Sequence, residues 1–251
     1  MFKRTLGACV LAVLSPFVQA AEVVVFCPGA VQSLVTELAK NFAQASGHTV
    51  KFVYGTAGSV AKRVAEGERG DVVITTTEML TNLAKSGKVA APLTRALGSM
   101  GVGVTIKAGS GLPDVRTVTA FKAAMLAARS ITFADPAFGG QSGIHVAKVF
   151  EQLGIAQELK PKLQLRPGAP EAFIEVARGD IEIGLGQISE ILANKGLVLI
   201  GPLPSEIQSS VAFAAGVHAA ATAAEAAQAF IDFLVTPTAK QRFAELGFDV
   251  K

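Results

Sequence analysis

Short runs of β-branched and other apolar residues alternate with segments of helical periodicity along this chain. The first run, residues 23–26, is followed by apolar residues at helical spacing between Val31 and Phe42, and then by a second run at residues 50–53. The same rhythm returns at residues 72–74, 102–106, 131–133, 181–185 and 197–200. Near-continuous apolar strands separated by helices are typical of parallel sheets that are covered on both faces. The sequence therefore predicts an α/β fold in which the sheets are mostly parallel.

The first twenty residues have the pattern of a secretory signal. Lys3 and Arg4 precede an apolar stretch that ends in small residues at Ala20, and such a segment is removed on export. Ser15 and Pro16 interrupt the stretch, so it falls short of the about 20 apolar residues that a membrane-spanning helix needs. We predict that residues 1–20 are cleaved and that the mature protein lies in the periplasm.

The mature chain is expected to carry almost no net charge. The full sequence holds 23 lysines and arginines against 20 acidic residues, and the signal contains two of the former and none of the latter. The chain lacks a run of basic residues interleaved with aromatic ones, which is the pattern that indicates a nucleic-acid surface. We therefore predict no nucleic-acid partner. The remaining length of about 230 residues suffices for one large domain or two small ones.

Three loops rich in small residues each follow a predicted strand and lead into a helical pattern. They span residues 27–30, 55–59 and 138–143. The first turn of a helix has N–H groups without intrahelical partners, and such groups bind anions. In open α/β sheets, ligands lie beyond the carboxyl ends of the strands, which is where these loops fall. The three loops together predict a cleft for a small anion.

These loops and strands resemble those of the periplasmic solute-binding proteins of the molybdate-binding type. The similarity runs through Val25-Phe26 and the loop after it, residues 55–58, 70–74, 134–136 with 143–144, and 230–234 to 247–248. The resemblance implies a two-lobed, type II periplasmic binding protein fold with a ligand cleft between the lobes. It implies one lobe at residues 21–98 plus 212–251, a second at 99–211, and hinges near Gly98-Ser99 and Ser209-Ser210, where backbone rotation would close the lobes.

The residues that would hold an oxyanion depart from the pattern of this family. Molybdate binders of the type that this chain resembles have a serine in the first loop, a serine in the second and a tyrosine after a late strand. This chain has Ala30, Thr56-Ala57 and Gly186 at those places. The departure implies a ligand larger than a tetrahedral oxyanion.

Three segments, residues 27–29, 187–190 and 201–204, are similar to a branch of the family that includes aconitate isomerase. Aconitate isomerisation moves a proton between two allylic carbons, so it requires a general base and donors for three carboxylates. Two functions stay open. One is an aconitate isomerase that uses no metal and no cofactor; the other is a non-catalytic component that hands molybdate, tungstate or another small anion to an ABC permease. Either is expected to be a monomer.

Cys27 and His145 are the candidate catalytic residues. Cys27 is the one cysteine beyond the signal and precedes a predicted helix, whose N-terminus would lower the pKa of the thiol; the alternative is a buried, inert thiol. His145 lies in the first turn of the helix after the third loop, where it could carry a proton or pack at the surface. His48 and His218 show no spacing that suggests a metal site.

Donors for the ligand are expected from the three loops, from two strand ends and from one cation. Arg166 is the candidate cation, because its planar guanidinium matches a carboxylate; the alternative is an exposed surface arginine. Thr77 and Gln187 each follow a predicted strand. The expected ligand-binding set is Gly29, Ala30, Thr56, Ala57, Gly58, Ser59, Thr77, Gln141, Ser142, Gly143, Arg166 and Gln187.

Overall fold

The computed structural model describes residues 20–250, so the predicted signal lies outside the described residues apart from Ala20. The strands are β1 (Glu22–Pro28), β2 (Thr49–Gly55), β3 (Val72–Thr76), β4 (Val89–Met100), β5 (Val102–Lys107), β6 (Ile131–Thr132), β7 (Ile183–Gln187), β8 (Leu197–Pro202) and β9 (Val211–His218). The helices are α1 (Gly29–Ser46), α2 (Ala57–Ala65), α3 (Thr77–Lys85), α4 (Val118–Ala127), α5 (Gln141–Gln152), α6 (Ala156–Leu159), α7 (Ala169–Arg178), α8 (Ile188–Leu192), α9 (Ala224–Leu234) and α10 (Pro237–Glu245).

These elements form two lobes, each with one sheet. The sheet of lobe one has the order β2-β1-β3-β9-β4, in which β1 runs parallel to β2 and β3 while β9 runs antiparallel to β3 and β4. The sheet of lobe two has the order β6-β7-β5-β8, in which only the β6–β7 pair is parallel. The predicted two-lobed α/β fold is confirmed.

Both sheets are mixed rather than mostly parallel, and the chain path is the reason. After β3 the chain turns through α3 and passes from lobe one to lobe two along β4 and β5, which are separated by Gly101 alone. It returns to lobe one after β8 and inserts β9 in the opposite direction between β3 and β4. β4 escapes the sequence prediction because Pro92, Thr94 and Arg95 interrupt its apolar residues. β9 escapes it because its apolar run consists largely of alanine and glycine, which are not typical of strands.

The two crossings between the lobes are held side by side. Gln208, on the returning segment, accepts a hydrogen bond from the N–H of Val102 at 2.9 Å and donates to the carbonyl of Val102 at 2.8 Å. The side-chain amide thus makes the two hydrogen bonds that a neighbouring strand would make with the backbone of Val102. The crossing segments are thereby tied to each other next to Gly101.

Each lobe has its own apolar core. The helical spacing between Val31 and Phe42 places that face of α1 in the core of lobe one with Phe230 of α9, and α1 ends at Gly47, whose φ of 75° favours glycine. In lobe two, Phe121 and Phe150 pack among the buried apolar residues of the second sheet. Among the residues described, no helix combines the length and apolarity that crossing a membrane would require.

Candidate functional site

A cavity of about 440 Å³ lies between the lobes. Four helices of nine or more residues begin at its wall: α1 and α2 in lobe one, and α5 and α7 in lobe two. Each is preceded by a residue in extended backbone, namely Pro28, Thr56, Gly140 and Gly168. Extended backbone followed directly by a helix aims the unpaired first-turn N–H groups outward, so both walls of the cavity present donors and the positive ends of helix dipoles.

Glu190, on α8 in lobe two, lines the cavity and lies against the start of α1 of lobe one. Its carboxylate lies so near Gly29 that a Cβ at that glycine would come within 2.7 Å of Oε1. Its Oε2 accepts the Gln187 N–H at 3.3 Å. Burial raises the pKa of this carboxyl to about 7, against the opposing effect of the Gln187 N–H, and the negative charge of Glu171 raises it further. Glu190 is therefore poised to gain or lose a proton near neutral pH.

Sequence reasoning missed Glu190. The Gln187-Ile188-Ser189-Glu190 stretch has the spacing of a helix start, in which a glutamate reaches back to the residue before the helix. That pattern indicates a structural role and does not show which cavity the carboxyl borders. One signal could have identified it: Glu190 lies three residues after Gln187, which was itself a predicted ligand residue at the end of a strand.

The Gln187 side chain is the second unusual polar group at this cavity. It lines the cavity, its residue is 3 % exposed, and its Oε1 has no hydrogen-bond partner within residues 20–250. A buried amide oxygen without a partner costs about 1–3 kcal/mol. Such a group is available to accept a hydrogen bond from a bound molecule.

The cavity lining contains carboxylates but no cation. Glu171 and Glu190 are its charged members, and no lysine, arginine or histidine is among the residues of the described chain that line it. Tyr54, the one tyrosine of the chain, also lines it and shares a hydrogen bond of 2.9 Å with the Thr36 hydroxyl. Neutral donors and helix N-termini are thus the groups of the lining that attract an anion.

Eight of the twelve predicted ligand residues line the cavity. Two of them are engaged with each other: the Thr56 hydroxyl accepts the Ser59 N–H at 3.0 Å, and the Ser59 hydroxyl accepts the Thr56 N–H at 2.8 Å. This reciprocal cap begins α2. The eight are Gly29, Ala30, Thr56, Ala57, Ser59, Gln141, Ser142 and Gln187.

The other four predicted ligand residues lie off the lining, and one of them, Gly58, instead contacts Gly139 of the other lobe. Arg166 is half-buried and pairs with both carboxylate oxygens of Glu175, at 2.9 and 2.5 Å, so its guanidinium is already occupied. Thr77 is exposed at the start of α3. Gly143 packs so tightly on Ala134 that a Cβ would meet its carbonyl oxygen at 1.8 Å. These three positions support the site from behind or lie away from it.

Cys27 is a strand residue and not a loop residue. It lies in β1, is fully buried in the core of lobe one, and is not among the residues that line the cavity. Burial raises the pKa of its thiol, so the expectation of a lowered pKa is wrong. The physical reason is that β1 extends to Pro28, which leaves the thiol inside the sheet instead of at the helix N-terminus.

His145 also faces away from the cavity lining. It is half-buried on α5, and its Nε2 lies 2.7 Å from the carbonyl oxygen of Ile207. That contact ties α5 to the segment after β8, inside lobe two. The position is that of a packing residue.

The lobes touch directly at one side of the cavity. The N–H of Gly58, in α2, donates to the carbonyl of Gly139 at 3.2 Å, and the Thr56 hydroxyl donates to the carbonyl of Phe138. A Cβ at Gly58 would lie 2.8 Å from the Gly139 oxygen and 2.9 Å from its Cα. The two backbones can approach this closely only because both residues are glycines. We name the contact of Thr56 and Gly58 with Phe138 and Gly139 the glycine latch.

Two α/β lobes that are joined by two crossings and close on a cavity ringed by helix N-termini define a solute-binding protein. The chain belongs to the family of bacterial extracellular solute-binding proteins, whose sequence model matches residues 23–249.

Individual relatives cover nearly the whole chain. It is 26 % identical to an aconitate isomerase of a Pseudomonas species, over 98 % of this chain and 97 % of that protein. It is 23 % identical to the molybdate-binding protein ModA of Escherichia coli, over 92 % and 90 %. Among solved structures, the periplasmic molybdate-binding protein of Azotobacter vinelandii superposes with a TM-score of 0.79 at 18 % identity, covering 91 % of this chain and 99 % of that one. The resemblance to molybdate-binding-type proteins is thereby confirmed.

Gly58→Ala should open the lobes, because the added methyl group cannot fit against Gly139. We expect a larger radius of gyration than that of the wild type in small-angle X-ray scattering of the ligand-free protein. Gly111→Ala is the matched control, since a Cβ there meets no atom within 4 Å. An unchanged radius for Gly58→Ala would contradict the latch.

Cys27→Ala should cost about 1 kcal/mol of unfolding free energy, as expected when a small buried group is removed, and should leave ligand affinity unchanged. The thiol of the native mature protein should not react with a disulfide reagent, and denaturant should expose it. Rapid reaction of the native protein would show that the thiol is accessible after all.

Proposed function

We propose that this protein is an aconitate isomerase that interconverts trans- and cis-aconitate in the cavity between its lobes. The observation that carries the proposal is Glu190: a carboxyl with a pKa raised to about 7, at a cavity whose other polar groups are donors for anions. The substrate is a tricarboxylate, and the reaction requires a base that takes a proton from one allylic carbon and returns it to another. Glu190 is the residue of the lining that fits this task.

The proposed chemistry assigns separate tasks to the two kinds of group at the cavity. Glu190 accepts the proton from the methylene carbon of the substrate, and the negative charge delocalises over the allylic system and its carboxylates. First-turn N–H groups of α1, α5 and α7, with the N–H of Ala57 at the start of α2, hold the carboxylates and stabilise that charge. Glu190 then returns the proton to the other end of the allylic system, so the protein ends each turnover in its starting protonation state.

The size of the cavity supports an organic ligand. A water molecule takes up about 30 Å³ in the liquid, so about 440 Å³ has room for a molecule of tricarboxylate size. A tetrahedral oxyanion with five atoms would leave most of this volume unfilled. Similarity to the Pseudomonas aconitate isomerase over nearly the full length of both proteins supports the same assignment.

The proposed isomerase is a periplasmic monomer. Relatives with known structures include a periplasmic protein, and the predicted signal at residues 1–20 agrees with export, so we assign the mature protein to the periplasm. We propose that it acts as a monomer, and that it uses no cofactor or metal because the transfer of a proton to and from Glu190 requires neither.

A transport role is the alternative, favoured by the molybdate-binding relatives. In that case the protein binds molybdate, tungstate or an organic anion and hands it to an ABC permease. A thermal-shift screen separates the two functions, since a ligand at a thousandfold excess over its dissociation constant stabilises by about 4 kcal/mol. Stabilisation by molybdate but not by trans-aconitate would favour transport and count against the isomerase.

Glu190→Gln should lower kcat for conversion of trans-aconitate by about 100-fold or more, the usual contribution of a general base. Binding of trans-aconitate should survive, because glutamine keeps the shape of the side chain. The conversion is followed by chromatography of cis-aconitate, with Glu78→Gln, an exposed carboxyl on α3, as the control.

The wild-type pH profile provides a second check on the same residue. A base must be ionised to act, so kcat/KM should rise with pH and level off above about 7. A Glu190→Gln enzyme with wild-type turnover, or a profile that falls over this range, would refute the role of Glu190.

A further inference from the structure

The charged side chains that line the cavity are acidic, so they do not neutralise a bound carboxylate. No lysine, arginine or histidine of the described chain lines the cavity, while Glu171 and Glu190 both do. A carboxylate ligand would therefore lie near one or two protein carboxylates with no cationic side chain between them. Like charges at short range repel, and the repulsion is strongest at Glu190, where burial reduces screening by water, whereas Glu171 is exposed.

The positive ends of helices offset part of this repulsion but not all of it. Each helix N-terminus acts as about half a positive charge, and α1, α2, α5 and α7 begin at the lining. Together they amount to about two positive charges. That is less than the sum of an ionised Glu171, an ionised Glu190 and a polycarboxylate ligand.

Gln187 independently indicates that a ligand binds at this end of the cavity. Its side chain is 3 % exposed, and its Oε1 lacks a partner in residues 20–250. It lies at the end of β7, directly before the helix that carries Glu190. A ligand that completes the bonding of this amide comes close to the Glu190 carboxyl.

We propose that the cavity takes up its carboxylate anion together with one proton, which Glu190 holds in the complex. A protonated Glu190 removes one negative charge from the site and gains an O–H that can donate to a ligand carboxylate. This inference rests on the proposed substrate class, a small polycarboxylate, and not on turnover.

The groups that face Glu190 set the balance between its protonated and its ionised form. Glu171, on α7, is the titratable neighbour whose charge acts on it, and that charge favours the protonated form. The N-terminus of α1 at Gly29 lies against Glu190, and the Gln187 N–H donates to it from the start of α8. Both groups favour the ionised form. The pKa of the unliganded carboxyl already lies near 7, and an added anion moves it upward.

Proton uptake has a consequence for the proposed isomerase. The productive complex is the fraction in which Glu190 is ionised, so kcat should rise at a higher pH than kcat/KM does. The first reports the substrate complex and the second reports the free enzyme.

Titration calorimetry of the mature protein with propane-1,2,3-tricarboxylate at pH 8 tests the inference. This saturated analogue has no double bond to move, so binding is measured without turnover. Titration in two buffers of different ionisation enthalpy counts the protons. We expect an uptake of close to one proton for the wild type and close to none for Glu190→Gln, and affinity that falls about tenfold per pH unit in the wild type alone.

The wild-type count decides the inference even if the variant does not fold. No uptake in the wild type, uptake that persists in Glu190→Gln, or absence of binding at millimolar ligand would each overturn it. Assaying trans-aconitate conversion on the same preparation keeps the two proposals apart. Proton uptake without conversion retains this inference and removes the isomerase, whereas conversion without uptake does the reverse.

Discussion

The structure depends on how abruptly strands and loops become helices at the cleft. β1 ends at Pro28 and α1 begins at the next residue, and β2 is separated from α2 by Thr56 alone. No residue is left over to form a long loop, so the first-turn N–H groups open directly onto the space between the lobes. In lobe two α5 and α7 do not follow a strand directly, but Gly140 and Gly168 hold extended backbone just before them. Helix starts from both lobes therefore make the cavity attractive to anions, without a cationic side chain in the described lining.

Short connections also explain why the lobes meet as closely as they do. Gly58 follows the start of α2 by one residue, and its N–H reaches the Gly139 carbonyl beside the cavity because neither residue carries a side chain. The crossing segments are clasped by Gln208 at Val102. The cavity is thus bounded on one side by the glycine latch, while the crossings tie the lobes together.

Much of this architecture could be predicted from the sequence. The α/β fold and the three small-residue loops follow from patterns that are local in the chain, such as the apolar spacing in α1. Positions such as Gly29, Thr56 and Gln141 could be predicted to border the cavity, because helix starts can be recognised from single segments of sequence. The mixed character of the sheets was not readable, since it depends on where β9 inserts between distant strands.

The identity of the charged groups at the cavity could not be predicted either. Cys27 seemed to be a loop residue because the sequence does not show that β1 continues to Pro28. Arg166 seemed free because Glu175, its partner, lies nine positions away on the face of a helix. Glu190 was not among the candidate residues, because only the approach of α1 from the other lobe places its carboxyl against Gly29. Side-chain partners across lobes are set by tertiary packing, to which a local pattern is blind.

Proton abstraction from a bound tricarboxylate is the central claim, and hydrogen exchange on the ligand measures it most directly. Trans-aconitate is incubated with the protein in D₂O, and its methylene signal is followed by proton NMR. With the wild type we expect the methylene signal of trans-aconitate to fall as cis-aconitate appears, and deuterium to enter wherever the Glu190 carboxyl exchanges its proton with the solvent before returning it. With Glu190→Gln we expect neither change. A methylene signal that persists with the wild type as it does without protein would contradict the account.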